Sequence, residues 1–116
     1  MTEITRRYRI QDPRGLEVAL APPRWNRHVT VHHPEMASRL EDVLLVVQDP
    51  EVIQLSTYDP DMHLYFRRKA AGFGKFSRLY LEVVVRVDLE SISGQIVTAH
   101  FTNALQKGRI LWARKR

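Results

Sequence analysis

The apolar positions of this chain change period near residue 50. Before it, Met36, Leu40, Val43, Leu44 and Val47 recur at helical spacing and form one stripe. Pro34 suits a first helical position, Glu35 suits the positive end of a helix, and Asp49-Pro50 stops the run, so one helix is predicted there. After it, strand alternation takes over. Val52, Ile53 and Leu55 mark a short strand, and Tyr58-Asp59-Pro60-Asp61 makes a turn. In the next strand, Met62 to Lys69, Leu64 and Phe66 alternate with His63, Tyr65, Arg67 and Lys69. Gly72 and Gly74 permit a loop before the longest strand, Arg78 to Asp88, where Leu79, Leu81, Val83, Val85 and Val87 share the core face. A turn at Ser91 to Gly94 leads to Gln95 to Thr102, with Val97, Ala99 and Phe101 inward and Ile96, Thr98, His100 and Thr102 outward. Lys107-Gly108 turns the chain into a last short strand, Arg109 to Trp112.

Residues 1–23 read as an N-terminal extension: a basic start, an edge-strand candidate at Tyr8 and Ile10, the turn-prone Asp12-Pro13-Arg14-Gly15, a short apolar piece and Pro22-Pro23. A domain over 24–113 and a basic tail at 114–116 complete the division. A helix followed by strands on short turns predicts an α+β fold. Its N-terminal helical segment packs on a four-stranded, or slightly larger, antiparallel sheet whose other face is open.

Composition narrows the function classes. The 116 residues suit one domain, and with 44% hydrophobic residues no apolar run approaches the roughly 20 needed to span a bilayer. The start, MTEITRRYRI, lacks the uninterrupted apolar stretch of a secretory signal, and the expected location is cytoplasmic. The absence of cysteine excludes disulfides, thiol chemistry and cysteine-ligated metal. Eighteen Lys and Arg against thirteen Asp and Glu give a formal charge of +5, which favours a polyanionic partner such as RNA, although basicity alone also serves solubility.

Candidate chemistry gathers in Trp25-Asn26-Arg27-His28-Val29-Thr30-Val31-His32-His33-Pro34-Glu35, which holds three of five histidines. Histidine titrates near neutrality, so a cluster of it beside cations suits proton transfer at an anionic substrate. RNA cleavage needs a base for the 2′-hydroxyl, an acid for the departing 5′ oxygen and donors for the charged phosphorane. His33, at a helix N-terminus, is the candidate base, and His28 or His100 the candidate acid. Arg67 is the candidate electrostatic stabiliser, with Tyr65 or Thr98 donating a hydrogen bond. Lys69, His100 and Arg86 join Tyr65 as substrate-binding candidates on the outer sheet surface. A capped or packed His33, and the ordinary polar face of a half-solvated sheet, account for the same residues without catalysis. No metal or other cofactor is expected: His28 and His32 are four apart, but His32-His33-Pro34-Glu35 is not the His-Glu-x-x-His arrangement. Gly72-Phe73-Gly74-Lys75 is too short for a phosphate loop, and no nucleophilic-serine elbow or paired carboxylates stand out.

Over roughly residues 25 to 112 the chain resembles the phage-associated branch of the barnase, EndoU, colicin and RelE-like (BECR) nuclease superfamily. The resemblance is carried by Trp25, His28-Val29, His33-Pro34-Glu35, Asp49-Pro50, Tyr65 to Lys69, Tyr80 to Val87, Val97-Thr98-Ala99-His100-Phe101 and Gly108 to Trp112. It implies a helix followed by a four-stranded antiparallel sheet and metal-independent RNA cleavage, often in toxin or phage settings. Position by position it implies His28 and His33 as catalytic, a basic residue of Arg67 to Lys69 as phosphate-binding and Thr98 as a site donor. His32 stands where a basic residue is expected and His100 where Tyr is expected, which leaves the acid and base assignments open. The resulting expectation is a small endoribonuclease, a bacterial or phage-derived toxin leaving 2′,3′-cyclic phosphate ends, with a cognate antitoxin or immunity protein as a further candidate partner. The alternative is a non-catalytic nucleic-acid or protein-binding module on the same fold.

Overall fold

The computed structural model describes residues 8–68 and 79–115. Strands β1 (Tyr8–Gln11) and β2 (Glu17–Leu20) form an antiparallel hairpin whose turn uses Gly15 at φ +92°, a conformation that glycine adopts without steric cost. Pro22-Pro23, placed at the end of the expected N-terminal extension, open a helical segment, because proline lacks only an N–H that the first helical turn leaves unused. That segment runs through α1 (Pro22–Arg24), a π turn (Trp25–Val29) and α2 (Thr30–His32). A 3-10 turn, Pro34–Met36, precedes α3 (Leu40–Gln48). The strands β3 (Val52–Leu55), β4 (Met62–Arg68), β5 (Tyr80–Asp88), β6 (Ser93–Thr102) and β7 (Ile110–Ala113) follow.

Among the described residues, these seven strands belong to one sheet in the order β1-β2-β6-β5-β4-β3-β7. β2 runs parallel to β6, and the other pairs are antiparallel. The expected N-terminal helical segment on a small, wholly antiparallel sheet is therefore corrected to a seven-stranded mixed sheet with short helices. The parallel β2–β6 pair joins strands far apart in sequence, which no local turn pattern announces. Residues 8–20 belong to this sheet, and Leu16, Val18 and Leu20 are buried in its core.

That core lies on one face of the sheet. Val43, Val46 and Val47 of α3, with Trp25, Val29 and Met36, pack on Ile53, Tyr65, Leu81, Val83, Val85 and Ala99. Burying each such side chain contributes about 1.5–3 kcal/mol, which holds α3 against the low helix propensity of its valines. A bulge between Val84 and Val85 turns Ile96 into this core. The opposite face carries a second apolar cluster, Val52, Leu64 and Phe66 with Tyr80 and Val84. Among the described residues, no helix is long and apolar enough to cross a membrane.

The β1–β2 turn is clamped onto β4 by a buried polar network. Asp12 Oδ1 accepts the backbone N–H groups of Arg14 and Leu16, at 2.8 and 2.9 Å. Its Oδ2 accepts from Tyr65 Oη at 2.6 Å and from Arg14 Nε and Nη2 at 3.0 and 2.9 Å. Arg14 Nη2 also lies 2.9 Å from Tyr65 Oη and 3.1 Å from His63 Nδ1. A guanidinium can only donate, so His63 is held neutral with Nδ1 as acceptor. Burial first, and Arg14 second, push its pKa down to about 4. The unfolded chain binds this proton near pH 6.5 and the folded chain only near 4. Acidification through that window therefore favours unfolding, by an amount on the order of 3 kcal/mol. Urea unfolding of the parent should show that loss between pH 6.5 and 4, and His63→Gln should flatten it; parallel pH profiles would remove His63 as the cause.

Candidate active site

Pro34 decides where His33 sits. The residue before proline is disfavoured in the α region, and His33 leaves the helical segment at φ −133°, ψ 74°. Its backbone N–H still donates to the Val29 carbonyl at 2.8 Å, and buried Val29 and Trp25 anchor the segment on the core. Strand β2 pairs with β6 only over Ser93–Gln95, so β2 leaves the later part of β6 open on that side. The His33 ring meets His100 of β6 with centroids 5.3 Å apart and planes tilted by 31°.

His100 pairs in register with Glu82 of β5, and its Nε2 lies 3.2 Å from Glu82 Oε1. The Glu82 side chain is 4% exposed and that of His100 is 30% exposed. This is an ion pair at contact distance, although its angle falls outside a well-aligned hydrogen bond. Three buried polar atoms at this end of β5 and β6 lack a hydrogen-bond partner among the described residues: Glu82 Oε1, His100 Nδ1 and Thr98 Oγ1. Thr98 and His100 are two apart on one strand and share a face. Buried polar atoms are normally satisfied, so this concentration of unsatisfied ones sets the His33–His100 contact apart from an ordinary sheet surface.

The two rings have oppositely displaced pKa values. The contact with Glu82 raises that of His100 against the opposing effect of burial. Burial lowers that of His33, helped by the neighbouring His100, while Glu35, with Oε2 3.8 Å from Nδ1, opposes the shift. The expected helix dipole is not the reason, because Pro34–Met36 is a single 3-10 turn. The pair is thus biased toward one protonated and one free ring, the complement that acid–base catalysis uses. With its pKa raised in the folded state, His100 contributes stability below pH 6.5 that is lost as pH rises through its elevated value. Glu82→Gln should lower the His100 pKa in an NMR titration of the ring; an unshifted titration would show that Glu82 does not hold the charge.

The remaining candidates stand in differing relation to this pair. His28 stacks on His32 at 4.6 Å between centroids, and His32 Nδ1 is 3.0 Å from the His28 carbonyl. The His28 pKa is lowered by desolvation, then by Arg24 and the other two histidines, so it flanks His33 electrostatically. Thr98 lies on the His100 face. Arg67 Nη1 is engaged by Asp49, 2.8 Å from Oδ2 and 2.7 Å from the carbonyl. Tyr65, in register with Val83 and Ala99, points into the core, where burial raises its pKa. The outer sheet surface expected to carry Tyr65 together with His100 and Arg86 is thereby split, Tyr65 lying on the core face and His100 on the other. Arg86 is exposed, 3.6 Å from Asp59, and Lys69 lies outside the described residues. Glu82 was legible as an outward residue but not as a site residue; its signal is a lone carboxylate in the apolar run Leu81 to Val85. Among the described residues no three His, Asp or Glu side chains converge as a metal site.

No family model, curated protein or solved structure matches this chain.

Proposed function

We propose that the protein is a metal-independent endoribonuclease working through His33 and His100. The observation that carries this is the contact of a neutral-leaning and a cation-leaning histidine beside unsatisfied buried donors and acceptors. His33 removes the 2′-hydroxyl proton through Nε2, since its Nδ1 faces Glu35. The 2′ oxygen attacks phosphorus, the bond to the 5′ oxygen breaks, and the imidazolium of His100 supplies the proton to that leaving oxygen. The products are a 2′,3′-cyclic phosphate and a 5′-hydroxyl. Thr98 Oγ–H donates to the phosphorane, and Glu82 keeps His100 charged until the proton is given up. The net charge of +5 favours the approach of the polyanion. Kinship with the BECR nucleases belongs to the same proposal and rests on the motif around His28 and His33-Pro34-Glu35.

Because the attack uses the 2′-hydroxyl, an RNA strand should be cut while DNA and 2′-O-methyl strands of the same sequence stay intact. Cutting of DNA would refute this chemistry, and intact RNA with retained binding would point to a binding module instead. A toxin role adds that expression in a bacterial host arrests growth and that His33→Ala relieves the arrest; unimpaired growth with folded parent protein would count against it.

A further inference from the structure

A cavity of about 390 Å³ lies on the sheet face that carries Glu82 and His100, toward its β3–β7 edge, lined by Glu51, Val52, Tyr80, Leu105 and Arg114. Tyr80 is two residues before Glu82 on β5, so the two side chains share a face about 7 Å apart. The Tyr80 ring is braced edge-on by Phe66, with centroids at 6.1 Å, and capped by the Arg68 guanidinium at 5.4 Å. Val52 and Leu105 add apolar wall. Arg114 supplies charge, its guanidinium 2.8 Å from Asp49 Oδ1, and together with Arg68 over the ring it sets two cations beside the Glu51 carboxylate of the wall.

These features fit together for one class of ligand. An apolar ligand gives no use to the guanidinium groups, and a lone phosphate gives none to the ring and the aliphatic wall. A flat aromatic body on an anionic backbone uses all of them. We propose that this cavity receives an unpaired nucleobase, stacked on Tyr80, of the same strand whose phosphate lies at His33 and His100. The proposal rests on the ribonuclease reading and adds its substrate class: single-stranded or looped RNA, since a base held in a duplex cannot enter.

The test is equilibrium binding of a fluorescein-labelled 2′-O-methyl oligonucleotide, which cannot be cleaved by 2′-hydroxyl attack, as a single strand and as a duplex with its complement. The single strand should bind more tightly than the duplex. Tyr80→Ala should weaken single-strand binding by about 5- to 100-fold, and Tyr80→Phe should retain it. Placing an abasic unit at each position in turn should cost the parent protein a similar factor at one position, with no further loss in Tyr80→Ala. The abasic series also serves if Tyr80→Ala does not fold. Absence of single-strand binding, equal binding of duplex, insensitivity of a folded Tyr80→Ala, or a flat abasic profile would overturn the proposal. A parent that binds in this Tyr80-dependent way but cuts no RNA would overturn the ribonuclease reading and leave the base site standing.

Discussion

Replacing His100 with alanine lowers the rate of RNA cleavage by about 10²- to 10⁴-fold, the range typical of losing one general acid or base, and leaves the fold intact. The ring is part-exposed and meets Glu82 and His33; its loss leaves the buried Glu82 carboxylate without its cation, so the variant is less stable than the parent and its folding is checked alongside its activity. His33→Ala has an effect of similar size, and the double variant loses much less than the product of the two, because the residues act on one reaction coordinate. The parent profile is bell-shaped. Activity falls on the acid side as His33, with its pKa below 6.5, takes up a proton, and on the alkaline side as His100, with its pKa above 6.5, loses one. In His100→Ala the residual activity loses its alkaline limb, and its acid limb moves to higher pH where His33 still acts, because the neighbouring charge that lowered the His33 pKa is gone. Single-turnover cleavage across pH 4 to 9 reads both limbs. Retained activity in a folded His100→Ala would remove His100 from the chemistry.

Asp12→Ala destabilises the protein by about 3–5 kcal/mol, the usual consequence of removing one partner from a buried ion pair. The Asp12 side chain is 0% exposed and that of Arg14 is 21% exposed. The truncation leaves the Arg14 guanidinium, the Tyr65 hydroxyl and two backbone N–H groups without their acceptor at once. Asp12→Asn is milder, since an amide oxygen still accepts from part of this set. Urea unfolding at pH 7 measures both changes. A loss below about 1 kcal/mol in Asp12→Ala would show that the β1–β2 turn is held by Leu16, Val18 and Leu20 rather than by the network.

What the sequence disclosed follows from where its signals are local. The stripe Val43, Leu44, Val47 and the pre-proline stop at Asp49 announce α3, and the turn residues Asp12 to Gly15 announce the hairpin. The antiparallel pairing of β3 to β6 follows from successive alternating runs, whereas β7 returns to pair with β3, which no local turn announces. β4 shows the limit of alternation. Tyr65 was expected on the outer surface, yet it takes the core position against the helices, while Leu64 and Phe66 lie on the opposite face. Both faces of this strand are buried, so the choice turns on partners distant in sequence, namely Asp12 and Arg14. The site was half legible for the same reason. The motif around Pro34 exposes His33, whereas its meeting with His100, and the engagement of Arg67 by Asp49, depend on packing that no local pattern encodes.

The most direct test of the His33–His100 assignment is incubation of the purified parent protein and His33→Ala with mixed cellular RNA in excess EDTA, with identification of the fragment ends. Fragments ending in 2′,3′-cyclic phosphate and 5′-hydroxyl from the parent alone are the predicted result. Intact RNA with the folded parent, or equal cleavage by both proteins, would contradict it.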